Sequence, residues 1–174
     1  MSKIYGFGNA LIDIEIKVSE LQLKDTNITK GLMKHISHEE LEIYLSDFSN
    51  QINSALPGGS IANSTHAANK HNIETHFSCA IGDDKYGELF VDSFKNELSG
   101  LSFYKSKLPT GVCLIFITPD GQRTMAANLG ANIDLHKDCI DIKKLKNSEY
   151  LLFDNFSLST KKGFRVAKFC LSLS

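Results

Sequence analysis

Hydrophobic periodicity along this chain switches repeatedly between two residues and about 3.6, and that alternation restricts the fold more than any other feature. Ile12, Ile14, Ile16 and Val18 alternate with Asp13, Glu15 and Lys17, the signature of a strand with one wet face. Residues 75–81 read as a buried strand, and residues 111–118 are a continuous apolar run suited to burial on both faces. Between these runs the period becomes helical. Ser37 and Glu40 form a capping box ahead of Leu41, Tyr44, Leu45, Phe48 and Ile52, which predicts one helix ended at Leu56 and Pro57. A second helix is expected from Ile61 to Lys70, and a third through Tyr86, Leu89, Phe90, Phe94 and Leu98, stopped near Gly100. Strands that alternate with helices call for right-handed crossovers and a parallel sheet.

The remaining segments extend this α/β reading. Residues 3–7 read as a first buried strand, Leu21, Leu23, Ile28 and residues 32–36 as short strands, and residues 101–107 as another strand. Pro119-Asp120-Gly121 is a turn that brings residues 122–128 back as a hairpin partner. Residues 138–145 are helix-like, 150–153 a buried strand and 160–173 a terminal helix. With no internal repeat or linker, residues 1–174 form one α/β domain with a sheet appendage. A chain 42% hydrophobic and 22% charged excludes disordered and fibrous classes. A net charge of -1 offers no basic footprint for nucleic acid or acidic membranes, and no apolar run approaches the ~20 residues of a membrane helix. Met1-Ser2-Lys3 leads into a strand without a signal sequence, and the cysteines at 79, 113, 139 and 170 lack zinc-site spacing. Buried thiols in a reducing, cytoplasmic compartment are the expectation.

Function is concentrated in a few glycine-bearing segments. In Pro57-Gly58-Gly59-Ser60-Ile61-Ala62-Asn63, two glycines let the backbone approach a bound molecule, and the helix start offers unpaired N–H groups. Ile4-Tyr5-Gly6-Phe7-Gly8-Asn9-Ala10-Leu11-Ile12-Asp13 precedes it; Ala80-Ile81-Gly82-Asp83-Asp84, residues 110–125 and Leu129-Gly130-Ala131-Asn132 follow. In this order the segments resemble the ribokinase-like (PfkB) family of carbohydrate and nucleoside kinases, most closely its adenosine-kinase-like branch, over nearly the whole chain. The resemblance implies a ribokinase-like parallel-sheet sandwich, here incomplete, with a small β lid from strands near 12–36 and 101–127. It also implies a homodimer through that lid, and ATP-dependent, Mg2+-assisted phosphorylation of a hydroxymethyl group on a sugar or nucleoside. Members of the family run to nearly twice this length. Their later half carries a Gly-Ala-Gly-Asp motif that supplies the base and the phosphoryl cradle, and no such motif occurs in these 174 residues. The chain is therefore expected to be truncated, to supply the substrate-binding half, and to have little or no kinase activity alone. The alternative is a non-catalytic sugar- or nucleoside-binding, or dimerising, remnant.

Asp13 is the first candidate site residue, because it follows a strand expected at the sheet centre and a carboxylate can accept from two hydroxyls. The resemblance assigns it to sugar hydroxyls and Asn63 to substrate, with Gly58 and Gly59 allowing close approach. Asn9 is placed either to bond substrate or to hold its own turn. Ile61 and Asn72 stand where the family commonly has smaller residues. Asp83 and Asp84 read as helix caps, and Cys113 and Ile115 either line the substrate pocket or, the favoured reading, belong to the core. Arg123 is left open between substrate, a phosphate and a lid carboxylate, and Asp154 and Asn155 follow a buried strand at the edge where ligands collect, which opens a substrate role to them. Phe7, Tyr86, Phe103 and Phe116 are candidates for stacking on a base. The six histidines form no metal-type pair or catalytic triad. A dinucleotide-binding oxidoreductase reading of Gly6-Phe7-Gly8 is disfavoured, since position 11 is Leu and a strand continues where a helix should begin.

Overall fold

The computed structural model describes residues 3–95 and 100–173. The chain runs β1 (Ile4–Phe7), β2 (Leu11–Lys17), α1 (Glu20–Asp25), β3 (Met33–His35), α2 (His38–Asp47), β4 (Ile52–Gly58), α3 (Ser60–Lys70), β5 (Thr75–Gly82) and α4 (Lys85–Phe94). It continues through β6 (Gly100–Ser106), β7 (Gly111–Ile117), β8 (Arg123–Asn128), α5 (Ile142–Lys146), β9 (Tyr150–Leu152), α6 (Asn155–Leu158) and α7 (Lys161–Leu171). Two sheets result. One is wholly parallel, in the order β6-β5-β1-β9; the other is mixed, in the order β3-β8-β7-β2-β4. This is the fold class expected, a parallel α/β body joined to a second sheet, but among the described residues that second sheet, with five strands against four, is the larger rather than a small appendage.

Burial explains the arrangement. The even residues of β2, Ile12, Ile14 and Ile16, are buried together with Val112, Leu114 and Phe116 of β7. That face of the mixed sheet merges with α2, α3, α4 and the Phe77–Cys79–Ile81 face of β5 into one core. Tyr5 and Phe7 face the other way, into a second core with Leu135, Leu145, Val166 and Cys170. The parallel sheet is thus covered on both sides, as such sheets require. Gly6 and Gly8 let α3 press onto β1, because a Cβ at Gly6 would lie 2.9 Å from Ile61 Cγ2 and one at Gly8 3.1 Å from Ile61. Ile61 therefore fills the helix–strand contact. Asn72 has φ 60°, a left-handed residue just past α3, which accounts for an asparagine where glycine would also serve.

Several local expectations change: Ile28 lies in a loop rather than a strand, and the helix expected over residues 138–145 divides into a 3-10 turn at Lys137–Cys139 and α5. Leu21 and Leu23 lie in α1, because Ser19 and Gln22 close a capping box and start a helical turn. The helix expected to run to Leu56 ends at Asp47. Ile52 matches its helical phase, but the residue before Pro57 is biased to extended backbone, and pairing with β2 recruits the segment as β4. Residues 100–106, expected in the lid, pair with β5 at the edge of the parallel sheet. Residues 150–152 form an edge strand rather than a buried one, with Tyr150 66% exposed. The expected apolar position Leu98 lies outside the described residues.

His76 in β5 is buried against the Tyr5 ring at 5.2 Å, and its Nε2 meets Ser102 Oγ at 2.8 Å. Its Nδ1 has no hydrogen-bond partner among the described residues. Burial lowers the imidazole pKa, with Asp141 pulling it up and Lys144 pushing it down. The neutral ring contributes stability above the unfolded value of about 6.5, and this is lost as pH falls through that value towards the lower folded one. Melting temperature should therefore fall with acidification below about pH 6.5, less steeply in His76→Gln. An identical pH profile in the variant would exclude this role.

Candidate functional site

β2 carries Asp13 to the face of the mixed sheet opposite its core, beside Cys113 of β7 and Leu56 of β4. Parallel and antiparallel neighbours on its two sides hold the carboxylate in register. Below it, a Cβ on Gly58 would sit 2.3 Å from Asp13 Oδ2, so only glycine permits the carboxylate its position. Gly59 has φ 109° and would place a Cβ 2.3 Å from the Asn9 carbonyl oxygen. Both glycines are thus fixed by geometry.

A cleft of about 230 Å³ opens at this junction. Asn9, Asp13, Gly59 and Asn63 line it together, while Gly58 lies beneath Asp13. Leu11, Cys113, Met125 and Ala127 add an apolar sheet wall, and Met33 and His35 of β3 extend it. Asp154 and Phe156 close the opposite side. Ile115, Arg123 and Asn155 are not among the lining residues.

The electrostatics favour a ligand with hydroxyl donors. Burial raises the Asp13 pKa, Arg123 opposes that rise and Glu15 adds to it. No hydrogen bond from the described residues reaches the Asp13 carboxylate, so its acceptor capacity faces the cleft. Arg123 therefore acts on this carboxylate through charge. Ser19, Ser37, Asp84, Asp141, Asp154 and Thr160 cap the other α-helices with side-chain acceptors. Among the described residues only α3 starts without one, at Gly59. Its first-turn N–H groups are open to a ligand oxygen. The Cys113 thiol is pushed up to about 12, by burial first and then by Asp13, and stays protonated as a cleft wall.

Two acidic candidates are absorbed structurally. Asp84 caps α4 through Gly87 N–H at 2.8 Å and receives Thr110 N–H at 2.7 Å. Burial opposes its ionisation, but these bonds outweigh it and the carboxyl lies below its ordinary value. Asp83 instead pairs with Lys105 at 2.6 Å. Asp154 caps α6 through Ser157 N–H at 2.8 Å while also lining the cleft. Of the aromatic candidates, Phe7 and Phe116 are core, and neither Tyr86 nor Phe103 reaches the cleft; Phe156, which the sequence reading passed over, does. It follows a short strand at a sheet edge, the signal that had singled out only its neighbours.

A model of the family described as pfkB family carbohydrate kinase matches residues 39–170. The chain belongs to the pfkB family of carbohydrate kinases. No curated protein sequence matches it. Among solved structures, a probable sugar kinase from Rhizobium etli is similar at TM-score 0.92 and 21% identity, over 99% of this chain and 52% of its own. Adenosine kinase from Sinorhizobium meliloti gives 0.88 and 22%, over 99% and 53%. Adenosine kinase from Schistosoma mansoni in complex with adenosine and AMP gives 0.81 and 19%, over 99% and 54%. This pfkB-family chain therefore spans about half the length of the structures it matches. The family implies ATP and Mg2+, yet no group of three or more His, Cys, Asp or Glu among the described residues is placed to hold a metal. The acidic groove at Asp83, Asp84 and Asp92 does not fit one either: Lys105, Thr110 and Lys95 occupy those carboxylates.

Two outcomes follow. Gly58→Ala should displace the Asp13 carboxylate and weaken ligand binding about tenfold or more, a loss of about 1.4 kcal/mol, measured by titration calorimetry. Asp13→Asn should raise the melting temperature at neutral pH. The raised carboxyl pKa means the fold disfavours the ionised form, so stability is fullest at low pH and is lost as pH rises through the folded value. An unchanged or lower melting temperature at pH 7, with the fold intact, would contradict that sign.

Proposed function

We propose that this chain is the substrate-binding half of an ATP-dependent nucleoside kinase, and that its cleft receives a nucleoside with a free hydroxymethyl group. The observation that carries the reading is the Asp13 carboxylate, without a protein hydrogen bond among the described residues, in one cleft with Asn9, Asn63 and the uncapped start of α3. A carboxylate that accepts from two neighbouring hydroxyls, with amide groups and helix N–H donors beside it, matches the donor and acceptor pattern of a ribose. Phe156, 51% exposed, lines the cleft and supplies an aromatic surface suited to a flat base, which favours a nucleoside over a free sugar.

Phosphoryl transfer needs a base at the acceptor hydroxyl and a cradle of positive or N–H groups for the moving phosphoryl group. Among the described residues the cleft carboxylates are Asp13, assigned here to ribose, and Asp154, which caps α6. We infer that this chain binds nucleoside without transferring phosphate by itself.

Calorimetric titration with adenosine, ribose and fructose tests both parts. Adenosine should bind, ribose and fructose should bind more weakly, and Asp13→Ala should weaken adenosine about tenfold or more, as expected when hydrogen bonds to a charged acceptor are lost. Phosphate transfer from ATP to adenosine should stay at the level of the Asp13→Ala control. Equal binding in Asp13→Ala would refute the site, and turnover well above that control would refute the half-site reading.

A further inference from the structure

Three residues that line the cleft, Asn9 and Leu11 on one side and Leu129 on the other, come from two segments far apart in sequence. One buried side chain joins them. Asn132 is 2% exposed; its Oδ1 accepts from Ala10 N–H at 2.7 Å and its Nδ2 donates to the Ala10 carbonyl at 2.9 Å. The same Nδ2 donates to the Leu129 carbonyl at 2.8 Å. The acceptor and both N–H donors of the amide are thereby used, all on backbone that carries or flanks cleft residues.

Ala10 lies between β1 of the parallel sheet and β2 of the mixed sheet, where the chain passes from one to the other. Neither strand ladder includes it, so its backbone pair is satisfied by Asn132. Gly111, paired with Leu11 across the β2–β7 ladder, leaves room for the clamp, since a Cβ there would lie 2.4 Å from Asn132 Nδ2. Removing the amide would leave the buried Ala10 N–H and carbonyl without partners at the crossover, while the Leu129 carbonyl would keep only the Asn132 backbone N–H at 3.0 Å.

We propose that Asn132 is a positioning residue for the substrate cleft: it clamps the β1–β2 crossover to the Leu129 turn, and so sets Asn9, Leu11 and the start of the strand that presents Asp13. The clamp itself is independent of ligand identity; its effect on affinity rests on the nucleoside reading above. Asparagine is required because aspartate keeps the shape but offers no donor to the two carbonyls.

Amide hydrogen exchange followed by NMR tests the clamp without a ligand. In the unmodified chain the Ala10 amide should exchange as slowly as strand amides such as Ile14, although it lies outside the strands. Exchange of Ala10 at the rate of an open loop would overturn the proposal, whatever the variants do. In Asn132→Asp and Asn132→Ala, exchange across residues 9–13 should accelerate tenfold or more. In Val166→Ala, which loosens the core on the far face of the parallel sheet, the same amides should keep their rates. Adenosine affinity should fall about tenfold in the Asn132 variants and less than twofold in Val166→Ala, a split that general destabilisation would not produce. Equal losses in both would show that Asn132 only stabilises the fold. An unmodified chain that does not bind adenosine would contradict the nucleoside reading alone, and the exchange rates would then decide the clamp.

Discussion

No side chain separates Gly58 and Gly59 from the groups packed against them, and the cleft depends on that. A methyl group at either position would collide with the Asp13 carboxylate or the Asn9 carbonyl at 2.3 Å. With glycine at both, the end of β4 passes beneath the carboxylate and turns directly into α3, so one chain reversal brings together a strand carboxylate, a crossover asparagine and a helix start. Gly59 also adopts a backbone conformation that other residues reach only under strain. The turn therefore supplies the shape of the site rather than its chemistry.

The chemistry sits where the fold leaves favourable interactions unmade. Other helices close their first turn with a serine, threonine or aspartate, whereas α3 begins on a glycine that has no acceptor to offer. Asp13 is held in a partly buried position that raises its pKa, while Asp84 gains protein hydrogen bonds that lower its own. Concentrating unmet hydrogen-bonding capacity at one junction is the arrangement expected where a ligand completes the structure. Asn132 shows the complementary strategy, a buried amide with every hydrogen-bonding group used, anchoring the walls around those unmet groups.

Much of this was legible in the sequence because the informative features are local. The alternation of Ile12, Ile14 and Ile16 and the Ser37–Glu40 capping box act within a few residues, and the paired glycines at 58 and 59 are visible by residue type alone, although the groups packed against them, Asp13 and Asn9, are distant in sequence. What was not legible depended on distant partners. Residues 52–56 kept helical phase with Phe48 and became a strand only through pairing with β2. Residues 100–106 resembled the strands around them, and nothing local reveals that their partner is β5. Asp13, Asn9 and Asn63 were identified, and the cleft unites them. Phe156 was missed because an aromatic residue on a short helix reads as core until its exposure is known. Asp154 has a structural role that a sequence cannot separate from a binding one, since the same carboxylate caps α6 and lines the cleft.

The central proposal is that the junction of the two sheets, rather than the groove at Asp83, Asp84 and Lys105, receives a nucleoside. Backbone NMR shifts recorded while adenosine is added test it residue by residue. The account predicts shifts concentrated at Asn9, Asp13, Gly59, Asn63 and Phe156, with the groove at Asp83, Asp84 and Lys105 unmoved. Saturable shifts centred on that groove, with the junction residues silent, would contradict it.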